Sequence, residues 1–227
     1  MPENVYLVFS KPPEEISLAE FGEWYEQHVR DILTVDGFVA ARRFNFTGVN
    51  GDTSPTMYPH LSLYVIDGDP HAAMERLAAA TASGAVPIPD WFDRGRWASF
   101  YGHPLEGAID LDALDHAYVV FSRQPAGMPD EEYFDWYATH ARENCTADGF
   151  EQAWRYRLER DTVDPLAPNE SVHVAIYEVH GELPQLRAAL KEAAAAGRVG
   201  FPDFFGDILF ASGDAPSASA TVVGASA

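Results

Sequence analysis

Two histidines end the same short pattern, Trp-Tyr-x-x-His, at His28 and His140. A neutral imidazole, with an unperturbed pKa of ~6.5, can take a proton from an enolisable or phenolic compound. Both patterns lie on the apolar stripe of a predicted helix, so each imidazole is expected to point between that helix and a sheet. We treat both histidines as candidate acid–base residues. The alternative is a buried histidine that is hydrogen-bonded and holds its helix in place.

A second pair of histidines, His60 and His173, begins two apolar runs, and each is followed four residues later by a tyrosine, Tyr64 or Tyr177. Residues four apart in a strand lie on one face, because side chains alternate with a period of two. If that face meets the first helix, each pair converges with His28 or His140 in one pocket, where the tyrosine could polarise a carbonyl group. The alternative is an aromatic layer across the strands.

Four arginines recur at matched positions in a chain that has 15 Lys and Arg residues against 35 Asp and Glu residues. An anionic substrate would need such cations, whereas the plentiful carboxylates could instead hold them in ion pairs. The arginines that we assign as candidate substrate-binding residues are Arg30, Arg43, Arg142 and Arg155. The aromatic residues assigned to the same lining are Trp24, Tyr25, Trp136 and Tyr137, although such stripes usually belong to a core.

The formal net charge of −20 disfavours nucleic acid and anionic membranes as partners. No stretch is long and apolar enough to span a bilayer, and the first residues do not resemble a secretion signal, so we expect a cytoplasmic protein. A single cysteine, Cys145, excludes an internal disulfide and aligns with Leu33 of the first half, which favours a core position. Motifs for zinc proteases, nucleotide binding or serine hydrolases are absent, so we expect no metal and no cofactor.

The sequence repeats itself. Residues 5–46 align with residues 117–158 without a gap, and 16 of the 42 positions are identical. After one inserted residue, the alignment continues from His60 onto His173. We therefore predict a tandem duplication, with a first repeat at 1–104, a linker at 105–115, a second repeat at 116–213 and a disordered tail at 214–227.

Each repeat is predicted to contain strand, helix, strand, strand, helix and strand. In the first repeat we predict strands at 6–10, 38–46, 60–66 and 96–101, a helix that starts after Ser17 and ends before Gly37, and a helix at 70–83. In the second, a helix at 183–196 and a closing strand at 208–211 are the counterparts. This order is typical of the antiparallel ferredoxin-like motif. Two such α+β units would cover each other's open sheet faces as an intramolecular α/β-barrel.

The order of elements, the Trp-Tyr-x-x-His helix and the Asp-Gly-Phe turn into an arginine-bearing strand resemble the dimeric α/β-barrel superfamily, near its EthD-like branch. The resemblance covers residues 4–212. It implies small-molecule chemistry on aromatic, quinone, lactone or polyketide compounds, by cofactor-free monooxygenation, isomerisation or cyclisation. Some distant branches of that superfamily bind haem, and the sequence leaves open whether this chain does.

From these features we expect a cofactor-independent enzyme, an isomerase or cyclase, acting on a small aromatic-derived or unsaturated organic acid. A cofactor-free monooxygenase on a phenol or hydroquinone, and a non-catalytic protein that binds a small metabolite, are the alternatives. The substrate is expected to be an anionic small molecule. The sequence leaves open whether the chain forms a homodimer and which repeat holds the active pocket.

Overall fold

The structure is a computed structural model that describes residues 3–46, 58–161 and 172–224. The elements of the first half are β1 (Asn4–Lys11), α1 (Leu18–Ile32), β2 (Phe38–Asn45), β3 (His60–Ile66), α2 (Pro70–Ser83) and β4 (Arg96–Glu106). Those of the second half are β5 (His116–Arg123), α3 (Asp130–Asn144), β6 (Phe150–Arg160), β7 (His173–Val179), α4 (Leu183–Ala195) and β8 (Leu209–Pro216), with a short β9 (Val222–Val223) after them. Short 3-10 helices, Phe92–Arg94 and Asp203–Asp207, precede β4 and β8.

The first helix begins and ends where local chemistry requires. The Ser17 hydroxyl accepts a hydrogen bond from the backbone N–H of Glu20, which satisfies one of the free donors at the start of α1. The turn after α1 contains Gly37 with φ of +99°, a conformation that other residues rarely adopt. A Cβ at this position would also lie 2.7 Å from the Arg76 guanidinium, which would have to move aside.

The nine strands of the described ranges form one antiparallel sheet, in the order β8-β5-β7-β6-β4-β1-β3-β2-β9. The two halves join where β4 pairs with β6, with Phe100 opposite Arg160. The far ends of the sheet also approach each other, because Ser217, just after β8, pairs with Phe44 of β2. The sheet is therefore curled, with an inner and an outer face.

The inner face holds an apolar core built from both halves, which includes Leu7, Phe9, Phe121 and Trp154. On the outer face, each half has a separate core between its own helices and its own strands. The Trp-Tyr-x-x-His helices cover this outer face. The candidate residues of the two halves consequently lie in two separate places on the outside of the sheet.

Two strands are longer than predicted, because their pairing partners lie in other parts of the chain. The sequence predicts that β4 ends at residue 101, but it continues to Glu106 along β6. The predicted closing strand at 208–211 instead runs from Leu209 to Pro216, all of it paired with β5.

The prediction that residues 214–227 are disordered is wrong for residues 214–224. Residues 214–216 belong to β8, and β9 pairs with Ala40 and Ala41 of β2. The side chain that holds this segment is Arg42, which is buried and donates to the Ser217 hydroxyl and the Ser219 carbonyl. The same guanidinium reaches back to the linker at the Leu111 carbonyl and the Asp115 carboxylate. Residues 225–227 lie outside the described residues.

Within the described ranges, no helix has the length and apolar character needed to cross a membrane.

Candidate functional site

His28 lies on the buried face of α1, where the sequence places it. The Trp24 ring stacks on the imidazole, with ring centroids 4.6 Å apart and an angle of 20° between the planes, so the indole fixes the orientation of the imidazole. Nδ1 is fully buried and has no hydrogen-bond partner, which leaves Nε2 as the ring nitrogen that a ligand could reach. Burial lowers the pKa of His28 to about 4, against the opposing charge of Asp31. The side chain is therefore neutral at pH 7.

His28 opens onto a cavity of about 560 Å³ between α1, α2, the first 3-10 helix and the outer face of the sheet. We call this the first cavity. Its polar lining residues are Tyr6, Tyr25, His28, Tyr64, Thr81 and Asp93, and the remaining lining is aliphatic or aromatic. The volume suits a ligand of two or three fused rings, and the lining favours a ligand that is mostly apolar.

Two buried tyrosines, Tyr25 and Tyr64, lie beside His28 in this cavity. The Tyr64 hydroxyl is fully buried and has no hydrogen-bond partner. Burial, followed by the charge of Tyr25, raises the pKa of Tyr64 well above its usual value, so its hydroxyl keeps its proton. A buried donor without a partner costs free energy, which a ligand carbonyl or oxyanion could recover. His28 and Tyr64, which the sequence analysis expected in one pocket, both line the first cavity.

His60 is not part of that lining. Its ring packs against Phe21, with centroids 4.9 Å apart, and both ring nitrogens are buried without a partner. Burial, followed by the charge of Arg43, lowers the pKa of His60 to about 4. His60 shares the outer face of the sheet with Tyr64 as predicted, but it belongs to the aromatic layer that the sequence left as the alternative.

The second half repeats the arrangement around a smaller cavity, of about 200 Å³, which we call the second cavity. His140 stacks on Trp136 at 4.9 Å and lines this cavity together with Tyr137. Phe201, whose ring centroid lies 6.0 Å from that of His140, lines this cavity at the position where the first half has Ile88. Burial lowers the pKa of His140, while the charge of Glu143 and a hydrogen bond from the imidazole to the Gly200 backbone carbonyl oppose the shift.

In the second half, Tyr177 and His173 each have a hydrogen-bond partner that their counterparts in the first half lack. Asn144 stands where the first half has Ile32, and its amide donates to the Tyr177 hydroxyl at 3.1 Å. His173 is fully buried, and its Nδ1 is hydrogen-bonded to the Ser122 hydroxyl at 3.1 Å. Burial, followed by the charge of Arg155, lowers the pKa of His173 well below its usual value. The first half is therefore the one with the larger cavity, and that cavity is lined by His28 and by the unpartnered Tyr64 hydroxyl.

All four candidate arginines are ion-paired. Arg43 contacts the Glu26 carboxylate at 2.9 Å and lies 4.8 Å from the centre of the Tyr25 ring. Arg30 is half-exposed and also faces Glu26, at 3.8 Å.

In the second half, Arg155 and Arg142 share Glu106, at 3.5 and 3.6 Å. Arg155 also donates to the Phe134 carbonyl and lies 5.9 Å from the centre of the Tyr137 ring. None of the four lines either cavity. The contacts of the four arginines are thus the ion pairs that the sequence analysis gave as the alternative to substrate binding.

Sequence reasoning missed several residues of the first cavity. Trp97 and Ile88 line it from the segment around the first 3-10 helix, and Tyr6 lines it from β1. The Tyr6 hydroxyl donates to Asp161, which lies at the end of β6 in the other half. The match of Tyr6 with Tyr118 between the repeats was a usable signal. No sequence signal pointed to Asp161, because its position depends on the pairing of β4 with β6.

The first cavity does not fit haem, the group bound by some distant branches of the resembled superfamily. Haem carries two carboxylate groups, but the described lining contains no Lys or Arg, and its one charged residue is the acidic Asp93. Among the described residues, no group of three or more His, Cys, Asp or Glu side chains could hold a metal ion. Cys145 packs beside the core of the second half, and burial raises the pKa of its thiol to about 11.

No protein-family profile matches the sequence, and no curated protein matches it significantly. Solved structures do resemble it. An anthrone oxidase-like protein is 14% identical, with a TM-score of 0.56 over 100% of this chain and 95% of that chain. A mutant chlorite dismutase from Candidatus Nitrospira defluvii, in complex with cyanide, is 8% identical, with a TM-score of 0.53 over 96% of this chain and 91% of that chain. These similarities show the fold alone: the chain has a ferredoxin-like α+β fold.

Proposed function

We propose that this protein is a cofactor-independent enzyme that removes a proton from a neutral, planar phenolic or enolisable compound bound in the first cavity, and that the resulting anion reacts with molecular oxygen. The observation that carries the proposal is the position of His28. Its accessible nitrogen lies on an apolar cavity of about 560 Å³, whereas its counterpart His140 faces a cavity of about 200 Å³.

His28 acts as the base in this proposal. With the proton of the imidazole on Nδ1, Nε2 offers its lone pair to the ligand. Burial disfavours the imidazolium form and makes an isolated His28 a weak base. In the complex, the imidazolium forms next to the new substrate anion, and the attraction between the two charges offsets the cost of burial. Tyr64, with its unpartnered hydroxyl, can donate to the developing oxyanion.

A neutral ligand suits the cavity better than the anionic acid that the sequence suggested. That suggestion rested on the recurring arginines, which are held in ion pairs away from the cavity. The only charged residue in the described lining is Asp93, and the chain carries a net charge of −20. An anion would lose its hydration in this cavity without gaining a cation.

The oxygen step balances without a cofactor. A CH₂ group activated by aromatic rings loses a proton to His28, and the carbanion gives its electrons to O₂ to form a hydroperoxide after protonation. Loss of water then leaves a carbonyl group that keeps one oxygen atom of O₂. The fold similarity to an anthrone oxidase-like protein makes anthrone a suitable first probe.

The test is oxygen uptake with anthrone, together with the appearance of anthraquinone and correction for spontaneous oxidation. We expect turnover by the wild-type protein and a loss of about 100-fold in kcat for His28→Gln. His140→Gln is the matched control and should keep more than half of the activity. Equal activity in all three proteins would refute the assignment of His28 as the base.

Isomerisation is the second candidate, because the same pair of groups supports it. His28 can return the proton to a different carbon while Tyr64 holds the carbonyl oxygen. This reaction consumes no oxygen and proceeds under nitrogen. Solvent deuterium would enter the product at the new C–H position, which separates the two reactions in one anaerobic experiment.

We also propose that the chain is a tandem duplication of one ferredoxin-like unit and that it belongs to the EthD-like branch. The 16 identities in 42 aligned positions and the same order of elements in both halves support it. We also propose that the curled sheet acts as one intramolecular barrel. The pairing of β4 with β6, and of Ser217 with Phe44, supports this closure.

A further inference from the structure

One carboxylate from the second half, that of Asp161, lies on the first half's side of the sheet. It follows β6 directly, and its backbone N–H donates to the Ser99 carbonyl of β4 at 3.1 Å. This pairing turns the side chain towards the outer face of β1 and β4. There it accepts hydrogen bonds from Tyr6 at 2.6 Å, Ser99 at 2.9 Å and Tyr101 at 3.0 Å.

The direction of these hydrogen bonds determines what Tyr6 can offer to a ligand. A phenol has one proton and can accept through its oxygen. Tyr6 gives its proton to Asp161, so its oxygen is left as an acceptor. Burial, followed by the charge of Asp161, raises the pKa of Tyr6, so the phenol stays protonated. Tyr6 also lines the first cavity.

The second half lacks this arrangement at the matching position. Tyr118, the counterpart of Tyr6, donates to the Ser212 hydroxyl at 2.8 Å, and Ser212 aligns with Ser99. Asp214 stands where the first half has Tyr101, and it faces His116 at 2.5 Å. The larger cavity is therefore the one whose tyrosine is held by a charged acceptor.

We propose that Asp161 is a positioning residue that makes the first cavity selective for ligands carrying a hydroxyl donor. It holds the Tyr6 proton outside the cavity, so that the Tyr6 oxygen accepts a hydrogen bond from the ligand hydroxyl. This inference rests on the proposed function for the location of the site. It adds a specificity for phenolic over O-alkylated ligands, and it makes the second half of the chain part of the first half's site.

Two probes of matched ring system test the inference: 1-naphthol, which can donate, and 1-methoxynaphthalene, which can only accept. Their affinities are measured by equilibrium dialysis, and the readout is the ratio of the two. Asp161→Ala frees the Tyr6 proton to point into the cavity, which favours the acceptor-only probe. We expect the preference for 1-naphthol to fall about fivefold, as for the loss of one neutral hydrogen bond.

Further variants separate positioning from a general structural effect. Tyr6→Phe should lower the preference by a similar factor, and the double variant should lower it no further, because both residues act through one hydrogen bond. Asp161→Glu returns a carboxylate and should restore the preference. Asp214→Ala and Tyr118→Phe, the matched controls in the second half, should leave the ratio unchanged.

An unchanged ratio in Asp161→Ala, additive losses in the double variant, or no saturable binding of either probe would overturn the inference. Unfolding midpoints are measured for each variant, and Tyr6→Phe, which removes the same hydrogen bond, decides the test if Asp161→Ala does not fold. The outcome is separate from that of the oxygen assay. Selective binding without turnover contradicts the proposed reaction, whereas turnover with an unchanged ratio contradicts the role of Asp161.

Discussion

Protonation of His28 should destabilise the folded protein below neutral pH. Burial lowers its pKa in the folded state to about 4, compared with ~6.5 in an unfolded chain. A group with a depressed pKa contributes its full stability above the unfolded value, and the contribution is lost as the pH falls from 6.5 towards 4. The unfolded chain binds the proton first, so acid pulls the equilibrium towards unfolding.

The size of the effect follows from the two pKa values. The linkage relation gives a loss of about 2 kcal/mol in the free energy of unfolding between pH 7 and pH 5 from this one imidazole. His28→Gln removes the titration and keeps a polar side chain of similar size. The free energy of unfolding of the variant should therefore fall about 2 kcal/mol less than that of the wild type over this range.

Urea denaturation at pH 7, 6 and 5, followed by tryptophan fluorescence, measures this difference. His140→Gln is the comparator, because burial lowers the pKa of His140 while Glu143 and the Gly200 hydrogen bond oppose the shift. Its curve should diverge less from the wild type. If the wild type and His28→Gln lose the same free energy between pH 7 and pH 5, the burial argument for His28 is wrong.

Three more predictions concern the cavity, the linker and the cysteine. Ile88→Phe should fill the first cavity and weaken 1-naphthol binding at least tenfold in equilibrium dialysis, whereas Phe201→Ile should leave it unchanged. Arg42→Ala should lower the free energy of unfolding, measured by urea titration, by about 3 kcal/mol, because the linker and the final strand lose a shared hydrogen-bond donor. The control Arg76→Ala, at an exposed arginine, should lower it by less than about 1 kcal/mol. Cys145, with a pKa raised to about 11 from a reference of 9.0, should react about tenfold more slowly with a disulfide reagent at pH 8 in the folded than in the urea-unfolded protein, because the lower thiolate fraction outweighs the higher nucleophilicity of the more basic thiolate.

Local patterns predicted most of the secondary structure. The strand His60–Ile66 and the helix Pro70–Ser83 have the predicted bounds, because an apolar run in one case and the capping pair Asp69 and Gly84 in the other mark both ends. The predicted strands β4 and β8 stopped too early, because the last residues of each strand pair with partners elsewhere in the chain. β9 was missed, because a two-residue strand has no periodicity of its own.

The candidate site was predictable where it lies on one helix or one strand. His28 followed from helical spacing, and Tyr64 from the alternation along its strand. His60 was misplaced because strand alternation gives the face but not the position along it, and the cavity ends short of that residue. Asp161 could not be predicted, since only the pairing of the two halves brings it beside Tyr6.

Unequal cavities in the two halves are something that a pair of identical chains could not achieve. In a symmetric homodimer, each substitution appears in both subunits, so a phenylalanine that fills one pocket fills the other as well. Here Ile88 and Phe201 differ within one polypeptide. One half can therefore keep the larger pocket while the other carries a bulkier side chain at the matching position. Covalent linkage thus lets the two halves differ without a requirement for two separate polypeptides to assemble with each other.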